Sequence, residues 1–263
     1  MDKNFRIGVL ISGSGTNLQA IIDCCETGKI KGKLASVGSD NQDAKGLERV
    51  RRHKIPTFVV DYSSIIKRFK SKTDKVLLPD DFNFDDLLSK QAFLLENTNS
   101  KKIETFIMTR AIAERELLDK MKPYPFDLLV LAGFMRNLTP YFIDRVNTDP
   151  DHPRIMNIHP ALLPAFPGTD GYGDTFQYGC KVGGCSVHFI DYGEDTGPII
   201  GQKVFKIENN DTLDTIKKKG LALEWELYPE CINLFAKNRL KTVKVSYILK
   251  NGEERQRTVV KIL

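Results

Sequence analysis

Asn157 and His159 stand two residues apart in the segment RIMNIHPALLPAFPG, residues 154 to 168. In an extended strand that spacing puts an amide and an imidazole on one face with Ile155, while Met156 and Ile158 face the other way. The apolar run then ends in a proline-rich turn, so both polar groups sit where a strand runs out. Asp195 lies further along, in the acidic loop YGEDTG. An amide, an imidazole and a carboxylate together suit acyl transfer. The amide stabilises a tetrahedral oxyanion. The imidazole, kept protonated by the carboxylate, shares that role and gives or takes a proton. No Ser or Cys is placed beside His159 as an evident nucleophile, so direct attack by a substrate amine is the favoured reading. A buried, hydrogen-bonded histidine at a strand end is the plainer alternative.

A second constellation is LISGSGTNLQAII, where a glycine-rich turn follows one strand and opens a helix. Gly13 and Gly15 let the backbone turn sharply and approach a ligand. The free amides of Gly15, Thr16 and Asn17 then point out of a helix N-terminus, where the dipole favours an anion. Thr16 and Asn17 add side-chain donors. The pattern is not a full dinucleotide fingerprint, because Leu18 holds the third glycine position, and it lacks the lysine of a P-loop. A single phosphate monoester is the expected guest; a simple capped turn is the alternative.

These groups need a scaffold. Runs rich in Val, Ile and Leu at 5–12, 33–39, 57–61, 127–133 and 154–159 read as strands, several apolar throughout as two-sided burial demands. Leu18, Ile21, Ile22 and Cys25 keep helical spacing between the first two. Alternation of strand and helix predicts an α/β fold with an open, mostly parallel sheet. Ligands in such sheets bind beyond the carboxyl ends of the strands, which brings Asn157 and His159 to the side of the glycine loop. Residues 185–191 and 198–207 read as further strands, and about 212–237 as a long helix that Pro229 should kink or break. The tail alternates around Asn251-Gly252, a hairpin signal. Residues from about 64 to 105 are charge-rich and read as an inserted, mainly helical lobe, on the surface as a solvated excursion or as a lid or dimer contact. The next helix is expected near 109–121. The division is a domain over 1–240 carrying that lobe, and a hairpin extension over 241–263.

Composition narrows the classes. The 263 residues are 41% hydrophobic, enough for a full core. No apolar stretch approaches the ~20 residues of a membrane helix, and the start reads as a strand rather than a signal peptide. A net charge of +5, small and scattered, suits a pocket for anionic small molecules and does not call for nucleic acid. Five cysteines without a Cys-x-x-Cys pair read as free thiols in a reducing cytoplasm rather than a zinc site.

The ordered motifs GSGTNLQAII, DLLVLAGFMRNLTPYFI, NIHPALLPAFPG, SVHFIDYGEDTGPII and LEWELYP resemble the phosphoribosylglycinamide formyltransferases of purine synthesis, from residue 5 to about 240 outside the insert. The resemblance implies a Rossmann-like formyltransferase fold. It implies a catalytic trio of Asn157, His159 and Asp195. Gly15, Thr16 and Asn17 match the substrate-phosphate loop, and Glu224 the ribose contact. Arg110 and the run Met135, Arg136, Asn137, Leu138 match folate-pocket positions, and Ile190, Asp191, Tyr192, Gly193 and Glu194 the folate loop. The co-substrate implied is 10-formyltetrahydrofolate, with no metal. The partners are small molecules, with neither nucleic acid nor membrane, and the oligomeric state stays open.

One stretch departs from the pattern. Where such proteins often carry a His- or Arg-containing stretch leading into QAL, this chain has TDGYGDTF and then YGCKVGGC. His188 reads as a packed core histidine or a partner of Asp195, and Trp225 as packing. Among rivals, formyltetrahydrofolate hydrolase shares the trio but uses water, and is expected to carry a regulatory domain ahead of the first strand. Methionyl-tRNA formyltransferase needs an RNA-binding domain that the short tail does not supply. A non-catalytic phosphosugar sensor has no need of the trio.

Overall fold

Strand β1 (Arg6–Ile11) is apolar almost throughout because both of its faces are covered. In the computed structural model, which describes residues 5–71, 78–92 and 99–263, it lies within a seven-stranded sheet. Its companions are β2 (Lys33–Ser39), β3 (Thr57–Val59), β4 (Leu128–Leu131), β5 (Ile155–His159), β6 (Val182–Phe189) and β7 (Ile199–Lys206). The order is β3-β2-β1-β4-β5-β6-β7. β1 to β5 run parallel, and β6 and β7 antiparallel. The chain leaves β1 toward β2 and β3, then returns to β1's other side as β4. That reversal opens a crevice beyond the carboxyl ends of β1 and β4, the usual place for a ligand.

Alternation assigns the two faces. Ile7, Val9, Val130, Met156 and Ile158 pack with Leu18 and Ile22 of α1 (Thr16–Glu26) and Leu227 of α8 (Leu213–Ala236). Leu10, Leu129, Leu131 and Ile155 meet Ile65 of α3 (Tyr62–Lys70), Ile112 and Leu117 of α5 (Ser100–Met121), and Phe142 of α6 (Pro140–Val146). Asn157 and His159 share the face of Ile155, as their spacing dictates.

The charge-rich segment is mainly helical where it is described, but it is not a solvated excursion. α3 buries Tyr62, Ile65 and Phe69. α4 (Phe84–Lys90) buries Leu87 against Ile107 and Ala111 of α5 and Tyr141 of α6. Its charges meet the body: Lys90 lies 2.9 Å from Asp144, and Asp81 2.6 Å from Arg145. α5 starts at Ser100, with Asn99 accepting from the Lys101 amide, rather than near 109. Ile103, Ile107 and Ala111 recur every fourth residue and carry the apolar stripe back through the supposed insert. The parts of that reading that fall on 72–77 and 93–98 lie outside the described residues. Leu87→Ala is expected to cost about 2–4 kcal/mol in urea unfolding, as for other buried leucines. No change in the midpoint would mean that α4 only rests on the surface.

α8 runs through Pro229 without the predicted break. Leu227, Tyr228, Cys231 and Ile232 around it are buried, and their packing outweighs the hydrogen bond that proline removes. The Tyr228 hydroxyl lies 2.9 Å from both the Leu131 carbonyl oxygen, at the end of β4, and the Met156 carbonyl oxygen, near the start of β5. Trp225, expected to pack, is exposed on α8. β8 (Leu240–Ile248) and β9 (Glu254–Ile262) form the predicted C-terminal hairpin, with Gly252 in the left-handed region its turn requires. Among the described residues, no helix is long and apolar enough to cross a membrane.

Candidate active site

β5 ends on Asn157 and His159 and passes into the turn 160–168, which folds back beneath its own strand. Ser186 of β6 holds this turn, accepting from the Leu163 amide at 2.9 Å and donating to the Ala161 carbonyl at 2.7 Å. The return brings the Phe166 carbonyl oxygen to 2.7 Å from His159 Nε2. On the other side of the ring, His159 Nδ1 lies 3.2 Å from Asp195 Oδ2. Each imidazole nitrogen therefore faces an oxygen acceptor. A neutral ring leaves one lone pair opposed to an oxygen, and uptake of one proton lets both nitrogens donate.

Asp195 faces one backbone amide and two imidazoles. Its Oδ2 accepts from the Gly168 amide at 2.9 Å as well as meeting His159, and its Oδ1 lies 3.5 Å from His188 Nε2. Asp195 and Phe166 both have left-handed backbones, with φ of 53° and 54°. Such a conformation costs an L residue about 1–2 kcal/mol, so the surroundings hold it in place. Gly197 permits the tight loop: a Cβ there would fall 1.8 Å from the Phe189 carbonyl oxygen.

Burial sets the charge balance. It pushes the His159 pKa down, against the upward pull of the Asp195 charge and the Phe166 carbonyl, and the net direction is downward. The expectation of an imidazole kept protonated by its carboxylate is thus corrected: at neutral pH the ring is mainly neutral. For Asp195 burial acts upward, but the neighbouring His188 and His159 rings and the Gly168 amide outweigh it, and the carboxyl stays below its usual range.

His188, left open between core packing and partnership with Asp195, does both. It is fully buried and pairs with Asn157 across the β5–β6 ladder. Its Nδ1 lies 2.9 Å from the Phe189 carbonyl oxygen, which requires a donor at that nitrogen. A neutral ring then accepts at Nε2 from Asn157 Nδ2, 3.3 Å away. That contact sets the amide's orientation and leaves its second N–H for the pocket. The signal in the sequence was the polar pair Ser186 and His188 alternating with apolar Cys185, Val187 and Phe189.

One cavity unites Asn157, His159 and Asp195 with Met135, Arg136, Asn137 and Leu138 and with Ile190, Asp191, Gly193 and Glu194. Tyr192 turns away, its hydroxyl 2.5 Å from Asp144. Arg136 is tied through Nε to buried Asp40 at 2.5 Å, and its guanidinium lies 5.4 Å from the Tyr62 ring centre. Arg110 does not line the cavity. Its guanidinium stacks over Tyr62 at 5.1 Å and Phe106 at 4.9 Å, with Nε and Nη1 buried and without a hydrogen-bond partner among the described residues. The cavity adjoins a second one at Gly133 and Met135, formed by Ser12 to Asn17. The Ser12 hydroxyl ties the two by accepting from the Met135 amide at 2.8 Å.

Gly15 caps α1 with a φ of 70°, and a Cβ on it would lie 2.7 Å from Gly46 Cα, so only glycine fits. Gly46 belongs to α2 (Lys45–Arg52), which braces the loop: its amide donates to the Gly13 carbonyl at 3.0 Å, and Arg49 Nε to the Ser14 carbonyl at 3.0 Å. Thr16 faces the cavity. Asn17 instead turns its amide inward, donating to Glu224 Oε2 at 2.6 Å. Glu224 Oε1 accepts from the Tyr172 hydroxyl at 2.6 Å, a contact that sequence reasoning missed because nothing local to either residue signals it.

The formyl transferase family model matches residues 5–232. The phosphoribosylglycinamide formyltransferase of Escherichia coli (strain K12) is 36% identical over 236 residues, 90% of this chain and 89% of its own length. That of Bacillus subtilis (strain 168) is 30% identical over 227 residues, 86% and 92% of the two chains. The crystal structure of glycinamide ribonucleotide transformylase 1 from Symbiobacterium toebii superposes with a TM-score of 0.70 at 34% identity, covering 100% of this chain and 96% of that one. By the family match over residues 5–232 and the identity to these relatives, this chain belongs to the formyl transferase family, among the phosphoribosylglycinamide formyltransferases.

Proposed function

We propose that the protein transfers the formyl group of 10-formyltetrahydrofolate to the amine of 5-phosphoribosylglycinamide, in de novo purine synthesis. One observation carries the reading: the cavity holding Asn157, His159 and Asp195 shares Gly133 and Met135 with the glycine-loop cavity, so the two lie side by side. A phosphate held by the amides of Gly15, Thr16 and Asn17 leaves the rest of a phosphoribosyl amine pointing at the trio. Glu224, hydrogen-bonded to Asn17, stands ready to receive ribose hydroxyls. Folate supplies the formyl group when bound. The loops 135–138 and 190–194 give it walls, and the Arg136 guanidinium brings positive charge suited to its carboxylates, with Arg110 behind it on the same Tyr62 ring.

The amine nitrogen bonds to the formyl carbon, the carbon–nitrogen bond to folate breaks, and a proton passes from the amine to the folate nitrogen. Asn157 offers its free N–H to the oxygen on which negative charge develops. Neutral His159 can take a proton, and once charged it has an acceptor at each nitrogen. Asp195, ionised beside it, stabilises that charged ring. Both substrates are small molecules, and cytoplasm suits the five free cysteines.

The deciding assay follows the folate absorbance change with glycinamide ribonucleotide and with water alone. Turnover only with the ribonucleotide supports the transferase, equal turnover with water indicates the hydrolase, and none indicates a binding protein. Gly15→Ala tests the phosphate site. An alanine Cβ strikes Gly46 Cα and its left-handed backbone costs about 1–2 kcal/mol; the loop relieves both by shifting its amides, so ribonucleotide affinity by calorimetry should weaken roughly tenfold while folate affinity holds. Unchanged ribonucleotide affinity would remove the loop from phosphate binding.

A further inference from the structure

Glu224 is 4% exposed, and no Lys or Arg among the described residues pairs with it within salt-bridge distance. Its two oxygens instead receive two neutral donors, each at 2.6 Å: Asn17 Nδ2 on Oε2 and Tyr172 Oη on Oε1. A carboxylate tethered at both oxygens cannot rotate freely, yet each oxygen keeps a further lone pair. That leaves two fixed acceptors, a match for the two adjacent hydroxyls of a ribose.

The seat of Tyr172 is built around its ring. Tyr172 belongs to α7 (Gly171–Gln177) and is 5% exposed. On α8, a Cβ at Gly220 would lie 2.1 Å from the tyrosine ring. A glycine within a helix is destabilising by roughly 1 kcal/mol relative to alanine, and here the missing side chain makes room for an aromatic ring. A Cβ at Gly171 would lie 2.8 Å from the carbonyl oxygen of Pro160, the residue after His159. Tyr172 thus joins the carboxylate on α8 to the strand end that carries the acyl-transfer groups. It lies in TDGYGDTF, the stretch where this chain departs from the family's pattern.

We infer that Tyr172 is a positioning residue for sugar recognition: with Asn17 it holds the Glu224 carboxylate in the orientation that receives the ribose diol of the substrate. The inference rests on the reading of Glu224 as the ribose contact. Around Glu224 stand Tyr172 of α7, Cys185 of β6, Tyr228 of α8 and Asn17 of α1, none of them charged near neutral pH. Burial pushes the Glu224 carboxyl up and the two donors pull it down, with a net upward direction. Loss of one donor moves it further up.

Tyr172→Phe keeps the ring and removes the hydroxyl. The KM for glycinamide ribonucleotide is expected to rise roughly tenfold, in line with a lost hydrogen bond to a charged group. The kcat and the folate KM stay near wild type, and the acidic limb of kcat/KM moves to higher pH. Discrimination against the 2′-deoxyribosyl analogue should shrink. Tyr172→His, whose ring donor reaches less far than the tyrosine hydroxyl, carries the test if Tyr172→Phe does not fold: a ribonucleotide KM raised by less than roughly tenfold, with the acidic limb of kcat/KM shifted, supports the role, and wild-type KM and pH profile overturn it. Wild-type ribonucleotide KM and pH profile in Tyr172→Phe, with Glu224→Gln losing affinity, overturn the role of Tyr172 and leave the ribose reading standing. Loss of kcat in Tyr172→Phe with unchanged KM also overturns it. Wild-type affinity in Glu224→Gln overturns the ribose reading itself.

Discussion

Asn157→Ala is expected to lose roughly 10²–10³-fold in turnover while both substrates still bind. The size of the effect follows from geometry. Asn157 is the one amide side chain at the end of β5, held there by the ladder to His188 and by its own contact with His188 Nε2 at 3.3 Å. The contact spends one N–H and leaves the other facing the pocket, already oriented before charge develops. A donor that needs no reorganisation in a partly dry site is worth far more to a forming oxyanion than the same amide in water. Alanine removes the donor and leaves a small cavity, and His188 Nε2 loses its partner. Stability should fall only modestly, because the sheet on either side is unchanged. Single-turnover rates with separately measured affinities distinguish the effects. Near-normal turnover would remove Asn157 from the mechanism, and a loss confined to KM would make it a binding group.

Asp195→Asn is the second large effect, expected at ~10²–10⁴-fold in turnover, the usual range for a disabled acid–base group. The substitution preserves size. It removes the charge beside His159 and replaces one acceptor oxygen with a donor. Asp195 now accepts from the Gly168 amide at 2.9 Å and faces His159 Nδ1 at 3.2 Å, with His188 Nε2 3.5 Å away. Whichever way the asparagine amide turns, the charge that the Gly168 amide and His159 face is gone. Burial already lowers the His159 pKa, and the Asp195 charge is the largest opposing pull. Its removal should therefore lower the titration midpoint of His159 further, as read by NMR. Stability changes with a definite sign. A carboxyl whose pKa is depressed by folding stabilises the protein above its unfolded pKa, and that contribution fades as pH falls through the folded value. The acid-side loss of stability should accordingly be smaller in Asp195→Asn than in wild type. An unchanged midpoint with wild-type turnover would leave Asp195 a bystander.

Much of the fold was legible because its causes are local. β1, β4 and β5 are covered on both faces, so their apolar runs announce them without reference to anything distant. The glycine loop is equally local, since Gly15 sits in a left-handed turn between a strand and the helix it caps. Alternation alone put Asn157 and His159 on one face, and strand polarity put that face's end beside the loop. The limits of the charge-rich segment were less legible. Its charges suggested solvent, but Lys90 and Asp81 find partners on the body, Asp144 and Arg145, that sequence spacing does not reveal.

Pattern and motif determined the α/β scaffold, the glycine-rich turn and the placing of Asn157 and His159 on one strand face, because each depends on residues within one element or one turn. Tertiary structure decided the rest, because the energies involved belong to pairs that meet only after folding. Asn17 turns to Glu224 across 207 residues of chain, and Tyr172 reaches the same carboxylate across 52. His188 orients Asn157 only because the antiparallel register of β5 and β6 sets them side by side. The charge state of His159 was decided last of all: a nearby carboxylate is visible as a possibility in the chain, but the extent of burial that outweighs it exists only once the turn 160–168 has closed over the ring.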